Sequence, residues 1–186
     1  MSARSDDVDD VDGGDGGDGG DGGDAIDEML AAWRRERPDL DLAPLGILGR
    51  LAQATAVAGR VVDDVFVRHG LRSGEFDVLT ALRRAGEPFT LTPSTLADAL
   101  MLSRTGMTNR LDRLETAGLV ERRLDPADRR SFRVVLTDAG RAVVDATLTD
   151  HAATMARIVD GLDARERAAL ADLLRRLLRS ATKTLT

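Results

Sequence analysis

The chain has 186 residues, of which 42% are hydrophobic and none is cysteine, and its formal net charge is −6. This length holds one ordinary domain with a real core plus a tail. The lack of cysteine excludes disulfides, cysteine-ligated zinc and thiol-based peroxide sensing by this chain. His69 and His151 stand far apart in sequence and make no metal-ligand cluster. No apolar run of about 18 residues is present, so no membrane span is expected. The acidic start is unlike a signal peptide, and a cytoplasmic protein follows as the expectation.

The negative charge is unevenly placed. Residues 1–30 carry eleven acids and one Arg, so the rest of the chain is net positive. From Asp12 to Asp24 the sequence repeats Asp-Gly-Gly. Glycine loses much backbone entropy on ordering and the aspartates repel one another, so residues 1–24 read as a disordered acidic tail. A Gly/Asp repeat also suggests a calcium-binding β-roll, but such a roll needs a recurring apolar residue that this repeat lacks. Residues 25–42 read as an extra helix and linker. Ile26, Met29, Leu30 and Trp33 follow helical spacing over a span too short to be stable alone, and Pro38 marks the break.

A long helix is expected from Ala43 to His69, closed by Gly70, with apolar positions from Leu45 to Val65. The next, Ser73 to Ala85, turns Phe76, Leu79 and Leu82 inward and precedes Gly86. Thr92 and Pro93 make a helix start, as N-cap and first-turn proline, with Leu96, Ala97, Leu100 and Met101 on one face. Ser103 then caps a second helix that Gly118 stops, with Met107, Leu111 and Leu114 inward. Leu119–Leu124 and Arg133–Thr137 read as two strands of a hairpin whose tip carries Asp128, Arg129 and Arg130. Thr137 caps a further helix to about Val159. Asp163 and Glu166 form a capping-box pattern before a leucine stripe at 170, 173, 174, 177 and 178.

This is a mainly α chain with a small β-hairpin wing: a helix–turn–helix followed by a wing over residues 71–137, flanked by amphipathic helices at 43–70 and 138–186. The second helix of the motif presents Thr105, Asn109, Asp112 and Thr116 outward, flanked by Thr108 and Arg113. Short polar side chains with an Asn and an Arg suit a helix lying in a major groove. Thr105, Thr108, Asn109 and Arg113 are the candidate base-edge readers, and Ser103 and Arg104 are placed near phosphates at the helix N-terminus. Arg129 and Arg130 suit a narrow, electronegative minor groove, with Asp128 holding the wing tip. Between Arg104 and Arg141 there are nine Arg against six acids, the sign a DNA-binding face needs.

The run Asp-Pro-Ala-Asp-Arg-Arg-Ser-Phe at 125–132, followed by Leu-Thr-Asp-Ala-Gly at 136–140, resembles the winged helix of the MarR family of bacterial transcription regulators. The resemblance extends from about Ala43 to the C-terminus. It implies an intertwined α-helical homodimer reading an inverted-repeat operator in double-stranded DNA, most often as a repressor. The chain also resembles the urate-responsive, PecS-like branch of that family. Members of the branch have an N-terminal helix with a Trp, an Arg on the first long helix, an Asp in the following helix and an Arg on the recognition helix. Trp33, Arg50, Asp77 (in Gly74-Glu75-Phe76-Asp77-Val78-Leu79) and Arg110 (in Thr108-Asn109-Arg110) match these. The resemblance implies that they bind a small aromatic anion such as urate.

Of the four, Arg110 also stands out by spacing alone, since it lies between Met107, Leu111 and Leu114 at the edge of the inward stripe. An inward guanidinium needs a carboxylate or an anionic ligand, and a structural salt bridge satisfies it as well as an effector does. Trp33 reads equally as a packing anchor, and periodicity leaves Asp77 exposed and Arg50 off its helix's main stripe. The alternatives are a drug-like or phenolic effector, or DNA binding without any effector. No nucleophile–base pair, metal constellation or phosphate loop is present, so no enzyme and no cofactor are expected. An effector-independent helical interaction module would leave the wing arginines without a purpose.

Overall fold

The computed structural model describes residues 23–125 and 131–185. The Asp-Gly-Gly repeat up to residue 22 lies outside them, as do the wing-tip residues Asp128, Arg129 and Arg130. The order is α1 (Ala25–Glu36), α2 (Ala43–Arg68), α3 (Ser73–Arg84), β1 (Thr90–Leu91), α4 (Pro93–Ala99), α5 (Arg104–Thr116), β2 (Val120–Leu124), β3 (Phe132–Leu136), α6 (Asp138–Ile158) and α7 (Ala164–Thr184). The chain divides into two compact units, one ending at Gln53 and one beginning at Ala54, both within the span of α2.

In the first unit α1 lies on the N-terminal half of α2. Leu30 is its buried residue, seated over Gly46, while Ile26 packs on Gly49. A side chain at either glycine would meet these groups, so the two glycines set how closely the helices approach. Asp24, expected to be the last residue of the tail, is instead the N-cap of α1. Its carboxylate accepts from the N–H groups of Ile26 and Asp27, and the Asp27 side chain accepts from the Asp24 N–H. This reciprocal box satisfies N–H groups that a helix start otherwise leaves without partners.

The second unit holds the helix–turn–helix. Thr92, Ser103, Thr137 and Asp163 each cap a helix through a side-chain oxygen that accepts from the N–H three residues on. Gly70, Gly86 and Gly118 take positive φ just past α2, α3 and α5, the left-handed stop that glycine makes at no steric cost. Leu79, Leu82, Leu96, Met107, Leu111, Leu114, Val120, Val134 and Val144 are among the fully buried side chains. The core thus sits where α3, α4 and α5 meet the inner face of the sheet and α6. Phe66 stacks on Phe76 with centroids 4.5 Å apart, and the His151 ring lies 5.4 Å from each. His69 and Asp150, 2.8 Å apart, add a polar tie between the end of α2 and α6.

Two expectations need correction. The wing is not a two-stranded hairpin alone. β1 pairs antiparallel with β3, Thr90 opposite Val135, so the sheet has three strands in the order β1-β3-β2. A two-residue strand carries no alternation to read, and only pairing with a strand over forty residues away defines it. Met101 does not join the inward face of α4. The helix ends at Ala99, Met101 turns to φ 52°, and its side chain is 93% exposed.

Gly140 follows from packing rather than from backbone freedom. It is buried in the first turn of α6, where a Cβ would run into the Leu119 carbonyl oxygen, the same oxygen that accepts from the Thr137 N–H. This backbone cannot step aside without breaking the turn from α5 to β2. Gly140→Ala is therefore expected to cost about 2 kcal/mol, read as a fall of roughly 4–8 °C in the melting temperature. An unchanged melting curve would show that the close approach has no energetic weight.

Candidate DNA interface and effector residues

The motif's second helix, α5, has the asymmetry a reading helix requires. Met107, Leu111 and Leu114 are buried, and Arg104, Thr105, Thr108, Asn109, Asp112 and Thr116 are exposed. Ser103 accepts from the Gly106 N–H at 3.1 Å and so closes one donor of the helix start. The N–H groups of Arg104 and Thr105, ahead of it, have no partner within the helix and suit an anion. The Thr108 hydroxyl donates to the Arg104 carbonyl at 3.0 Å, which leaves its methyl and its acceptor lone pairs facing outward. Asn109 keeps both amide groups available, the requirement for a bidentate contact to adenine.

Arg113 behaves differently from the other candidate readers. Its Nε donates to Glu75 Oε1 at 2.6 Å, across to α3, so the guanidinium is turned toward the protein. Burial pushes the Glu75 carboxyl up. The Arg113 hydrogen bond, the Arg72 N–H and the charges of both arginines outweigh it and hold the group below the usual glutamate value. Composition and motif scanning missed Glu75, although spacing carried a signal. Glu75, Leu79 and Leu82 recur at i, i+4 and i+7, which puts a carboxylate on the apolar face of α3, where it needs a partner.

The wing is tied to the same helix. Arg122 on β2 donates to Asp112 at 2.6 Å and to Glu115 at 2.9 Å, and its own N–H reaches Glu115 Oε1 at 3.1 Å. At the base of the wing Arg133 Nε donates to the buried Asp125 at 2.7 Å. The Arg122 pairs fix β2 against α5, and the Arg133–Asp125 pair ties the two strands of the wing to each other.

The four candidate effector residues fall two and two. In the first unit Trp33 is 48% exposed on α1. Arg50 is engaged by the start of that helix: Nε and Nη2 donate to Asp24 at 2.8 and 2.9 Å, and Nη2 lies 2.7 Å from Asp27. In the second unit Arg110 is half-buried at the edge of the inward stripe, as its spacing implies. Its guanidinium lies directly over Gly74, where a Cβ would collide with it, and Nη1 donates to the Gly74 carbonyl at 3.3 Å.

Asp77 is open to solvent on one side. Desolvation by the protein nevertheless pushes its carboxyl above the ordinary aspartate value, and the Arg110 charge pulls it only partly back. A carboxyl with a raised value favours the fold when protonated. That contribution is present at low pH and is lost as pH rises through the raised value. Asp77→Asn should therefore gain stability over the parent at about pH 7 and lose that advantage toward about pH 3, in paired thermal melts. A difference that grows on acidification would reverse the assignment.

Comparison with known proteins agrees with this geometry. The model of the MarR family matches residues 69–131. The HTH-type transcriptional regulator PecS of Dickeya dadantii (strain 3937) is 37% identical over 152 residues, 82% of this chain and 92% of that protein. A point mutant of E. coli MarR complexed with operator DNA superposes with a TM-score of 0.63 at 28% identity, covering 74% of this chain and 95% of that one. Bordetella bronchiseptica BpsR, whose structure concerns regulation of DNA binding by 6-hydroxynicotinic acid, superposes with a TM-score of 0.60 at 27% identity, covering 69% and 90%. A recognition helix capped at Ser103, a three-stranded wing and relatives of this identity and coverage together make the chain a member of the MarR family, a winged-helix transcription regulator of the PecS-like type.

Proposed function

We propose that the protein is a homodimeric repressor that reads an inverted-repeat operator and is released from it by a small aromatic anion such as urate. The observation that supports the DNA reading most is the exposed row Thr105, Thr108 and Asn109 on a helix whose opposite face is buried. Thr105, Thr108 and Asn109 contact base edges, and Ser103 and Arg104 sit at phosphates. Arg129 and Arg130 enter or grip the minor groove, with Asp128 holding the tip. Arg113 is the candidate reader whose Nε is already held by Glu75.

The dimer is proposed from α2 and α7. Helix α7 spans 21 residues with an unbroken leucine stripe, yet none of its residues is buried within this chain. Leu170, Leu173 and Leu178 are exposed, as are Leu45, Leu48, Leu51 and Val61 on α2. Full burial is worth about 2 kcal/mol for each such side chain, so these faces call for a second copy. A two-fold dimer presents two recognition helices to two half-sites.

Replacing both wing-tip arginines with alanine should weaken operator binding at least about tenfold, the loss of contacts worth roughly 1–3 kcal/mol. In a gel-shift titration, wild-type affinity for Arg129→Ala/Arg130→Ala would remove the wing from the interface.

The effector reading draws on Asp77 and Arg110. An anionic purine needs a cation to pair with its charge and an aromatic face to stack on. Arg110 supplies a cation, and the desolvated Asp77 carboxylate is the group such an anion would disturb. Arg110 sits on the recognition helix, so its displacement shifts the population of DNA-competent dimers. Trp33 and Arg50 are proposed from the resemblance to the urate-responsive branch. Urate is expected to dissociate the operator complex and quench the fluorescence of Trp33, the chain's one tryptophan. Arg110→Ala should blunt the release, and Trp33→Phe and Arg50→Gln test the first unit's share separately. Calorimetry with urate and xanthine that gives no heat, with the operator complex intact, would rule the purine out and favour a phenolic or drug-like effector.

A further inference from the structure

The first turn of α3 holds the flank of α5 through two consecutive residues. Gly74 lies under the Arg110 guanidinium and accepts its hydrogen bond. Glu75, with its side chain 9% exposed, takes Arg113 on one oxygen and the Arg72 N–H on the other. Arg110 and Arg113 are one helical turn apart, so both contacts act on the same edge of α5.

Such an edge contact decides something that the apolar contact does not. Three buried side chains at i, i+4 and i+7 keep α5 on the core, but apolar contact is non-directional and tolerates a helix that rolls about its axis. A charge-assisted bond at 2.6 Å between a guanidinium and a buried carboxylate is directional. Burying that carboxylate costs desolvation that the pair's attraction only roughly repays, so pairs of this kind are weak sources of stability. Their attested role is to select one arrangement among near-equals.

We infer that Glu75 is a positioning residue for operator recognition: through Arg113 it fixes the roll of α5 and so aims Asn109 and its neighbours at base edges. Arg113 then acts on DNA through the pose of the helix and not as a phosphate or base contact. This rests on α5 being the element that enters the groove.

The test compares Glu75→Gln, Arg113→Gln and the double variant in the full-length protein, on operator and on unrelated duplex DNA across a salt series. Each single variant should bind operator about tenfold more weakly, a coupling of ~1.4 kcal/mol. Affinity for unrelated DNA and the slope of log affinity against log salt should not change, because no phosphate contact is lost. The double variant should be no weaker than the singles. Wild-type operator affinity in Glu75→Gln overturns the inference. So do additive losses with a slope reduced by about one in both Arg113 variants, which would make Arg113 a phosphate contact. If Glu75→Gln does not fold, the double variant carries the test, since it removes both charges together and leaves none uncompensated. It should bind operator more weakly at unchanged slope, and parental affinity overturns the inference. Asn109→Ala separates the two layers. If it too leaves operator binding intact, the assignment of α5 has failed; if it weakens binding while Glu75→Gln does not, only the role of Glu75 has failed.

Discussion

The recognition helix has a small apolar footprint, and the surrounding structure answers that limitation. Only Met107, Leu111 and Leu114 anchor it to the core. This is enough to keep the helix in place but too little to define its rotation. Rotation is set by arginine–carboxylate pairs on either side: Arg113 to Glu75 on α3, and Arg122 on β2 to Asp112 and Glu115. The first pair belongs to the helix packed behind α5 and the other two to the wing beside it. The helix is braced from both flanks, and the row Thr105, Thr108 and Asn109 stays exposed.

This bracing changes what the charge balance means. Nine arginines against six acids between Arg104 and Arg141 give the region its positive sign, yet many of them are committed within the chain. Arg113, Arg122, Arg123, Arg133 and Arg141 each pair with a carboxylate. Among the described residues of this stretch, Arg104 and Arg110 are the arginines outside such pairs, and Arg110 leans on Gly74. Charge counting therefore overstates the cations offered to phosphates. The salt dependence of binding should reflect the few arginines at the helix start and wing tip, not the regional total.

Much of this was legible because it is local. A cap is a side chain speaking to a backbone group three residues away, so Thr92, Ser103, Thr137 and Asp163 could be read directly and stand where expected. The inward stripes of α3 and α5 were equally plain in their periodicity. What escaped depends on distant partners. Asp24 is the exception: its cap is as local as the others, but it reads as one more unit of the Asp-Gly-Gly repeat. β1 exists only because β3 offers it an edge. Arg113 reads as an outward reader because nothing in its own helix announces Glu75. Met101 failed for a different reason: helical spacing continues past Ala99, but the backbone turns left-handed there and carries the side chain into solvent.

On the proposed reading of α5 as the helix that enters the groove, a small event at the first turn of α3 would be felt at DNA. Gly74, Glu75 and Asp77 sit within four residues, and the first two touch α5 directly. Helix α5 has 13 residues, a length of about 20 Å. A tilt of about ten degrees pivoted at one end moves the other by roughly 3 Å, against a hydrogen-bond window only about 0.5 Å wide. Disturbing the Arg110 seat while Glu75 keeps its hold on Arg113 would turn the helix about the remaining contact, not detach it. The core residues Leu111 and Leu114 need hardly move for base-edge contacts to fall out of register. A regulator built this way can lose its operator without unfolding, because the directional contacts that aim the helix are separate from the apolar contacts that hold it.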